Sequence, residues 1–402
     1  MRRATDAERE RLAETFETLC RIESPSGRER VCANWVTAEL GRIGLDVEED
    51  GAGPAAGSDA GNLLARIPGP APGTDPAAAP GPAATGTAEP PPSILLCSHL
   101  DTVPLAAPVE PILVNSGWEN ANEAILGADN KAAVAVMLEL ARRLVSGQQP
   151  PRVGLELLFT VCEEVSLRGS REFDTGRLYS PYGYVFDHAT PIGEIVLASP
   201  THYRIVGELR GRPAHAGIEP ELGRSAIAAA SAAVASMRLG RLDPETTANV
   251  GRIEGGSAIN VIPGRCWLEA ETRSLDAARA ESVATEIVDH LQDAANAHEC
   301  DLDVTVERMF EGYRTRARAP QVQLAERALR ACGYEPAHIV TGGASDANSF
   351  QTAGFACTCL ANGTERAHQS DERVSVEALE GMFEVAIALI DEAGIVPDGE
   401  EA

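Results

Sequence analysis

The sequence is poor in aromatic and basic side chains and has no long apolar run. Aromatic residues make up 4% of the 402 residues, and 34 basic side chains stand against 60 acidic ones, for a net charge of −26. Nucleic acids and anionic membranes would repel such a surface, so we exclude both as main partners. No apolar segment approaches the roughly 20 residues of a membrane-spanning helix. The N-terminal stretch is charged throughout, so we expect no signal peptide.

The nine cysteines are scattered singly and form no recognisable metal-binding or disulfide pattern. The nearest pair, Cys357 and Cys359, lies on one expected strand, where neither a disulfide nor a zinc knuckle is expected. We therefore interpret the cysteines as reduced thiols and predict a cytoplasmic protein.

The length of the chain indicates two domains, because one hydrophobic core rarely serves so many residues. In the first half, strand-like apolar runs such as "SILLCS" alternate with periodic helical stretches such as "DNKAAVAVMLELARRLVS". This alternation predicts an α/β fold, with a mainly parallel sheet and helices on both of its faces.

From about Thr201 the pattern changes to β-α-β-β-α-β, which is the order of a ferredoxin-like unit. We expect an α+β domain at residues 201–311, inserted into an α/β domain formed by residues 1–200 and 312–402. Its first strand, "HYRIVGELRG", is expected at the edge of the inserted sheet, where it could pair with a second copy.

Residues 68–92 differ in composition from the rest of the chain. They are almost wholly Pro, Ala, Gly and Thr, and lie between the strand-like runs "GNLLARIP" and "SILLCSH". Such a composition cannot bury enough apolar surface to order itself. We predict a disordered excursion within a hairpin formed by the two flanking strands.

Side chains that can bind metal ions follow the ends of several expected strands. They are His99 after "SILLCS", Glu163 and Glu164 after "LELLFTVC", Asp187 after "YGYVF" and His368 after "FACTCLAN", while Asp129 opens a helix. Open α/β sheets bind their ligands at the carboxyl edge of the strands. Two histidines with several carboxylates suit zinc. A shared aspartate would hold two ions about 3.5–4 Å apart, as two-metal hydrolysis requires.

Each of these residues also has an ordinary interpretation. A single histidine at a strand end is more often structural, and an aspartate before a helix is often its cap. Adjacent glutamates are usually solvated, but Glu163 and Glu164 follow a mostly apolar run, where two uncompensated carboxylates would be costly. The coincidence of five such positions favours a metal site.

Eight motifs spread over most of the chain point to a known family. They are "SHLDTVP", "ILGADNKAA", "FTVCEEVSLRGS", "VFD", "GRPAHAG", "AINVIPGRCWLEAETRS", "GGASDAN" and "AHQSDERV". In this order they resemble the co-catalytic zinc aminoacylase and carboxypeptidase family, which includes peptidase T, glutamate carboxypeptidases and succinyl-diaminopimelate desuccinylase. The stretches "GSDAGNLLARIPG" and "GGASDANSF" are most similar to the peptidase T-like enzymes.

The resemblance implies two zinc ions, for which manganese or cobalt could substitute. Asp129 would bridge them, His99 and Asp187 would complete one site, and Glu164 and His368 would complete the other.

The resemblance also implies the catalytic groups. Glu163 would be the general base for the water between the ions, and Asp101 would orient His99, as metal-bound imidazoles usually require. His188, directly after Asp187, departs from the family pattern; we interpret it as a bystander, with competition as a ligand as the alternative.

In the inserted domain, the resemblance assigns roles to three residues. His215 would stabilise the oxyanion, often in the partner subunit's site, which implies a homodimer through this domain. Asn260 and Arg273 would bind the substrate, since a guanidinium can hold a carboxylate through two hydrogen bonds. Without the resemblance, Arg273 would be interpreted as a solvated charge at a strand end.

The leading hypothesis is a di-zinc metallopeptidase that releases the N-terminal residue of short peptides. The alternative with the same site is an N-acyl or N-carbamoyl amino-acid hydrolase, acting on an acylated amino acid. A different class, a catalytically silent binding protein, would be marked by loss of Glu163 or of a ligand, and all of these positions are filled.

Overall fold

The computed structural model describes residues 3–69, 93–147 and 151–394. The predicted excursion at residues 68–92 therefore lies almost wholly outside the described residues. The chain divides into a first unit, formed by Met1–Leu197, Thr315–Val340 and Ser345–Ala402, and a second unit, formed by Ala198–Arg314 and Thr341–Ala344. Within the described ranges, every helix is too short or too polar to cross a lipid bilayer.

The helices and strands are numbered in chain order. The described helices are α1 (Asp6–Arg21), α2 (Arg30–Arg42), α3 (Gly53–Ala56), α4 (Ala128–Ser146), α5 (Arg168–Glu172), α6 (Ala226–Ser236), α7 (Ala277–Ala297), α8 (Pro320–Cys332), α9 (Asp346–Thr352) and α10 (Val376–Ala393). The described strands are β1 (Val47–Glu49), β2 (Leu63–Ile67), β3 (Ser93–His99), β4 (Pro111–Val114), β5 (Gly117–Asn120), β6 (Gly154–Thr160), β7 (Tyr182–His188), β8 (Glu194–Ser199), β9 (Thr201–Arg210), β10 (Gly240–Asp243), β11 (Thr246–Gly255), β12 (Arg265–Ser274), β13 (Asp301–Phe310), β14 (Tyr313–Arg314), β15 (Ala337–Val340), β16 (Ala356–Ala361), β17 (Thr364–Glu365) and β18 (Arg373–Ser375).

The first unit is built on a large sheet with the strand order β1-β2-β6-β3-β7-β16-β8. The four central strands, β6, β3, β7 and β16, run parallel to one another. The flanking pairs β1–β2, β2–β6 and β16–β8 are antiparallel. The predicted α/β class with a mainly parallel sheet is thus confirmed.

Two of the central strands, β3 and β6, are buried along their whole length. Every residue of β3 and of β6 is buried, which is why these strands read as continuous apolar runs rather than as alternating patterns. The helices α1, α4, α8 and α10 contribute buried apolar side chains to the same core. A rigid frame of this kind fixes the positions of the residues at the strand ends.

The predicted hairpin on either side of residues 68–92 is wrong. β6 lies between β2 and β3, and pairs antiparallel with the first and parallel with the second. Because β6 is fully buried, its backbone N–H and C=O groups need partners on both sides, and the two flanking strands supply them.

The second unit has its own core and a sheet with the strand order β10-β11-β12-β9-β13. The helices α6 and α7 pack on this sheet through their buried alanine, valine and leucine side chains. The strands β9, β11, β12 and β13 with the two helices form the predicted ferredoxin-like arrangement.

The prediction that "HYRIVGELRG" runs along the edge of the inserted sheet is wrong. This segment forms β9, which pairs with β12 on one side and with β13 on the other. In a β-α-β-β-α-β unit, each helical connection crosses one strand position in the sheet. The first strand therefore lies between the third and the fourth. β13 lies at one edge of this sheet and β10 at the other.

Candidate metal centre

The parallel strands bring the predicted ligands to one edge of the sheet. His99 is the last residue of β3, and Asp187 lies one residue before the end of β7. Glu163 and Glu164 lie shortly after β6, and His368 lies in the loop after β17, the short strand that follows β16. Because these four strands are parallel and adjacent, their carboxyl ends meet, as expected for a ligand site in an open α/β sheet.

Asp129 reaches the same edge from the first turn of α4. Gly127 is the N-cap residue of this helix, with φ +77°, and Asp129 itself has non-helical backbone angles. Asp129 therefore does not act as the helix cap, which was its ordinary interpretation. Its carboxylate is turned towards His99 and His368 instead.

The donor atoms form two triads that share Asp129. In the first triad, His99 Nε2 lies 3.4 Å from Asp129 Oδ1 and 3.5 Å from Asp187 Oδ1. In the second, His368 Nε2 lies 3.5 Å from Asp129 Oδ2 and 2.9 Å from Glu164 Oε2. Within each triad, the donor atoms all lie within 4.8 Å of one another.

These spacings fit two divalent cations. Ligand atoms about 2.0–2.1 Å from a tetrahedral ion are separated by about 3.3–3.4 Å, close to the distances found here. Among the described residues, Asp129 Oδ1 is buried and has no hydrogen-bond partner, which is costly unless a cation neutralises it. Imidazole nitrogens combined with carboxylates are the donors that zinc, manganese and cobalt accept.

The electrostatics of the cluster are dominated by buried carboxylates. Burial, followed by the neighbouring Asp187 carboxylate, raises the pKa of Glu163 well above its usual range. Burial also raises the pKa of Asp187 and of Glu164. Several carboxylates thus lie close together in a buried space, an arrangement that favours a bound cation.

The neighbouring carboxylates raise the pKa of both histidines. Burial lowers the pKa of His99, but Asp187, Asp101 and Asp129 outweigh it and leave the pKa well above its usual value. Contacts with Asp129 and Glu164 raise the pKa of His368 to about 10. Burial opposes ionisation of Asp129, yet the two imidazoles lower its pKa.

Asp101 connects His99 to the two glutamates. His99 Nδ1 lies 2.9 Å from the backbone oxygen of Asp101. A carbonyl can only accept, so Nδ1 carries the proton and Nε2 is the nitrogen that faces Asp129 and Asp187. The Asp101 carboxylate accepts the backbone N–H groups of Glu163 at 3.0 Å and of Glu164 at 3.1 Å, and the Ser26 hydroxyl at 2.7 Å.

Several residues around the site were not found from the sequence. Asn130 donates its side-chain amide to Asp187 Oδ1 at 3.0 Å, and Ser26 supports Asp101. Glu372 accepts the backbone N–H of Asp129 at 2.8 Å. Asn130 and Glu372 lie inside the motifs "ILGADNKAA" and "AHQSDERV", which are the available signal, but their hydrogen bonds depend on the fold.

His188 lies apart from the donor atoms. It is absent from the groups of metal-capable side chains found in the described ranges. Its Nε2 lies 3.9 Å from Glu194, and burial lowers its pKa. The geometry therefore gives no support to the expectation that His188 could compete as a ligand.

In the second unit, His215 and Asn260 lie close together. The backbone N–H of Ala216 donates to the backbone oxygen of Asn260 at 2.9 Å, and His215 forms a β-bridge with Val261. Arg273, on β12, donates to the Gly342 oxygen at 2.9 Å and to a Glu271 oxygen at 3.1 Å. Its charge is thus partly compensated, rather than simply solvated.

Comparison with known proteins decides the family. A family model described as "Peptidase family M20/M25/M40" matches residues 95–392. The chain belongs to peptidase family M20/M25/M40. The predicted membership and the predicted hydrolase class are confirmed.

Several known proteins resemble this chain over almost its whole length. An uncharacterized Bacillus subtilis protein, YqjE, is 33% identical over 95% of this chain and 98% of its own length. The structure of an aminopeptidase PepT from Bacillus cereus is similar, with TM-score 0.83 and 33% identity over 96% of this chain and 99% of its own. A tripeptidase from Staphylococcus aureus gives TM-score 0.86 and 31% identity, over 96% and 98%. The chain is therefore a peptidase T-like member.

Proposed function

We propose that this protein is an aminopeptidase of the peptidase T type, which uses two divalent metal ions, zinc in the first instance, to hydrolyse an amide bond of short peptides. The observation that carries the proposal is the pair of donor triads sharing Asp129, with Glu163 beside them. The resemblance to an aminopeptidase PepT and to a tripeptidase supports the choice of peptides as substrates.

The ligands divide between the two ions as the geometry suggests. His99, Asp129 and Asp187 would hold one ion, and Asp129, Glu164 and His368 the other. When bound, the two ions would polarise the scissile carbonyl and lower the pKa of a water molecule towards neutrality. Manganese or cobalt could replace zinc with the same donors.

Glu163 is proposed as the general base and general acid. Its donor atoms lie within 4.8 Å of those of His99 and Glu164, so it borders the space that the reacting water would occupy. A carboxylate in this position could remove a proton from the water and then give it to the leaving amine. Asp101 holds the Glu163 backbone and the His99 ring in register for this transfer.

The second unit is proposed to bind the substrate. Asn260 and Arg273 would hold the peptide backbone and its carboxylate, and His215 would donate a hydrogen bond to the oxyanion. Arg273 is already paired with Glu271, whose pKa is lowered to about 2 by His202 and Arg273. A substrate carboxylate would therefore compete with Glu271 for the guanidinium.

A homodimer through the second unit is also proposed, although not through β9. Among the described residues, no strand pairs with the outer side of β11 over residues 249–255. Ile253 and Ile259 are exposed nearby, by 52% and 103%. An open strand edge with exposed apolar side chains invites a second copy, and Ile259 directly precedes Asn260. The interface would then lie close to His215.

We further propose that the enzyme works in the cytoplasm. No disulfide joins any of the nine cysteines, and eight of them are buried. Cysteines without disulfides suit a reducing compartment. The acidic surface expected from the net charge of −26 is compatible with small peptides as partners.

The proposal is tested by assaying the zinc-loaded protein against di- and tripeptides, with N-acyl and N-carbamoyl amino acids alongside. We expect release of the N-terminal residue from peptides, abolished by chelation and restored by metal. Cleavage of acylated amino acids alone would indicate the alternative amidohydrolase. Metal-dependent activity towards none of these substrates would contradict the proposal.

A further inference from the structure

We propose that Glu372 is a positioning residue that fixes the backbone of Asp129, the shared ligand, relative to the loop of His368. It would thereby determine how tightly the second metal ion, that of the Asp129, Glu164 and His368 triad, binds. This inference rests on the proposed two-metal site, but Glu372 is absent from the groups of metal-capable side chains found among the described residues.

The contacts of Glu372 are specific for the start of α4. Its side chain is 2% exposed. Its Oε2 accepts the backbone N–H of Gly127 at 2.8 Å, and its Oε1 accepts the backbone N–H of Asp129 at 2.8 Å. The first N–H groups of a helix have no partner within the helix. A single carboxylate thus fixes the backbone on both sides of Ala128, directly at the bridging ligand.

The start of α4 is irregular, and its own N-cap residue makes no side-chain hydrogen bond to it. Gly127 has φ +77° and gives the helix no side-chain cap, and Asp129 has non-helical backbone angles. Short polar side chains normally satisfy the free N–H groups of a helix start. Glu372 supplies the missing acceptor from a distant part of the chain, and leaves the Asp129 carboxylate free to face His99 and His368.

Glu372 also belongs to the loop that carries His368. In this loop, Glu372 N–H donates to the Gln369 oxygen, Gln369 N–H donates to the Arg366 oxygen, and the Arg366 side chain donates to the Asp371 oxygen at 2.9 Å. His368 has φ +66°, a backbone conformation that surrounding contacts must maintain. The Glu372 side chain therefore links two ligands of the same triad through their backbones.

The two ions should depend on Glu372 to different extents. The second triad takes both Asp129 and His368 from the segments that Glu372 joins, whereas the first takes only Asp129. His99 and Asp187 are held instead by the central strands, by Asp101 and by Asn130. Loss of the Glu372 carboxylate should consequently weaken the ion of the Glu164 and His368 triad more.

A matched control exists elsewhere in the first unit. Glu156, also 2% exposed, accepts the backbone N–H groups of Tyr179 at 2.9 Å and of Ser180 at 2.8 Å. Among the described residues it is also bonded to the Ser180 hydroxyl at 2.6 Å and paired with Arg66 at 3.0 Å, and none of these partners is a proposed metal ligand. Glu156→Gln therefore makes the same change to similar backbone hydrogen bonds and breaks an ion pair as well, but only Glu372 lies behind the metal ligands.

The experiment titrates zinc and cobalt(II) into the metal-free full-length chain and measures binding constants by calorimetry and by the cobalt absorption spectrum. The wild type and Glu156→Gln should each bind two ions. In Glu372→Gln one amide NH₂ would face a backbone N–H donor, so we expect the second ion to bind about 10–100-fold more weakly, the usual effect of losing a residue that supports a ligand. Glu372→Asp, which keeps both oxygens on a shorter side chain, should lie between the two.

Circular dichroism checks that each variant is folded, and Glu372→Asp serves if Glu372→Gln does not fold. If the folded Glu372 variants bind two ions with wild-type constants, Glu372 is an ordinary buried carboxylate and the inference is wrong. It is also wrong if Glu156→Gln weakens the second ion equally, or if the wild type binds fewer than two ions. If the wild type binds two ions but hydrolyses no peptide, the proposed function fails and the role of Glu372 stands.

Discussion

Asp101 Oδ1 accepts the backbone N–H of Glu163 at 3.0 Å. The same carboxylate is fully buried, accepts the N–H of Glu164, and follows His99 by two residues. The residue that the sequence predicted to orient an imidazole therefore also fixes the segment that carries the proposed base and one proposed ligand. One buried carboxylate thus ties two strand ends of the candidate site together.

Asp101→Asn should reduce activity by more than the loss of one negative charge away from the reacting atoms would explain. Asparagine keeps one acceptor oxygen and places an NH₂ group against a backbone N–H, so we expect kcat to fall by about 10–100-fold. Ser26→Ala removes only the hydroxyl donor to Asp101 and should reduce kcat less than tenfold, in line with about 1 kcal/mol for one hydrogen bond. Equal effects of the two variants in steady-state assays would contradict this interpretation.

Glu163→Gln should retain both metal ions and lower kcat by about 10²–10⁴, the usual contribution of a positioned acid or base. Glu164→Gln should instead lose the ion of the His368 triad, because Glu164 is one of its three donors. Metal analysis and kinetics of the two variants check both statements. Near-normal turnover in Glu163→Gln, with two ions and no activity in Glu164→Gln, would reverse the assignment.

Asp129→Ala should release both ions, because it removes the shared donor and leaves the other buried carboxylates without compensation. Metal content after dialysis is the measurement. Asp276→Ala is a suitable control, since Asp276 caps α7 in the second unit and its loss should cost about 1 kcal/mol of stability without affecting metal binding. One tightly retained ion per chain in Asp129→Ala would show that Asp129 is not the bridge.

Metal binding should release protons, with His368 as one source. Its pKa is raised from 6.5 to about 10 by Asp129 and Glu164, so at pH 7.5 a cation must displace the proton on Nε2. Affinity for the second ion should therefore rise with pH up to about pH 10. The free energy of unfolding of the metal-free protein should fall as the pH rises from 6.5 to about 10. The reason is that the pKa of His368 is higher in the folded protein than in the unfolded chain. Calorimetry in buffers of different ionisation enthalpy gives the number of protons released on metal binding. If His368→Ala releases the same number as the wild type, His368 is not a source of these protons.

His215→Ala should lower kcat by about 10²–10³, the scale of one oxyanion donor. If His215 acts in the site of a partner subunit, mixing inactive His215→Ala chains with inactive Glu163→Gln chains should restore activity, because heterodimers would hold one intact site. Subunit exchange is confirmed first by mass spectrometry of labelled chains. No recovery after exchange, or an active monomer in sedimentation, would show that the site is not shared.

The sequence by itself determined the class of fold and the residue types of the candidate site. Buried parallel strands require continuous apolar runs, and β3 and β6 show these directly. The polar residues that interrupt such runs mark the carboxyl edge, which is why His99 and Asp187 could be predicted at strand ends. These are local properties of the chain, so they can be read without a structure.

Strand neighbours and supporting contacts were decided only by the tertiary structure. β6 separates β2 from β3, and β9 lies between β12 and β13, because strand pairing satisfies backbone groups between segments far apart in the sequence. Glu372 and Asp129 are 243 residues apart, yet a hydrogen bond joins them. No local pattern encodes such a pair. The burial of Glu372 and the direction of its two oxygens exist only once the loop of His368 packs beside the first turn of α4.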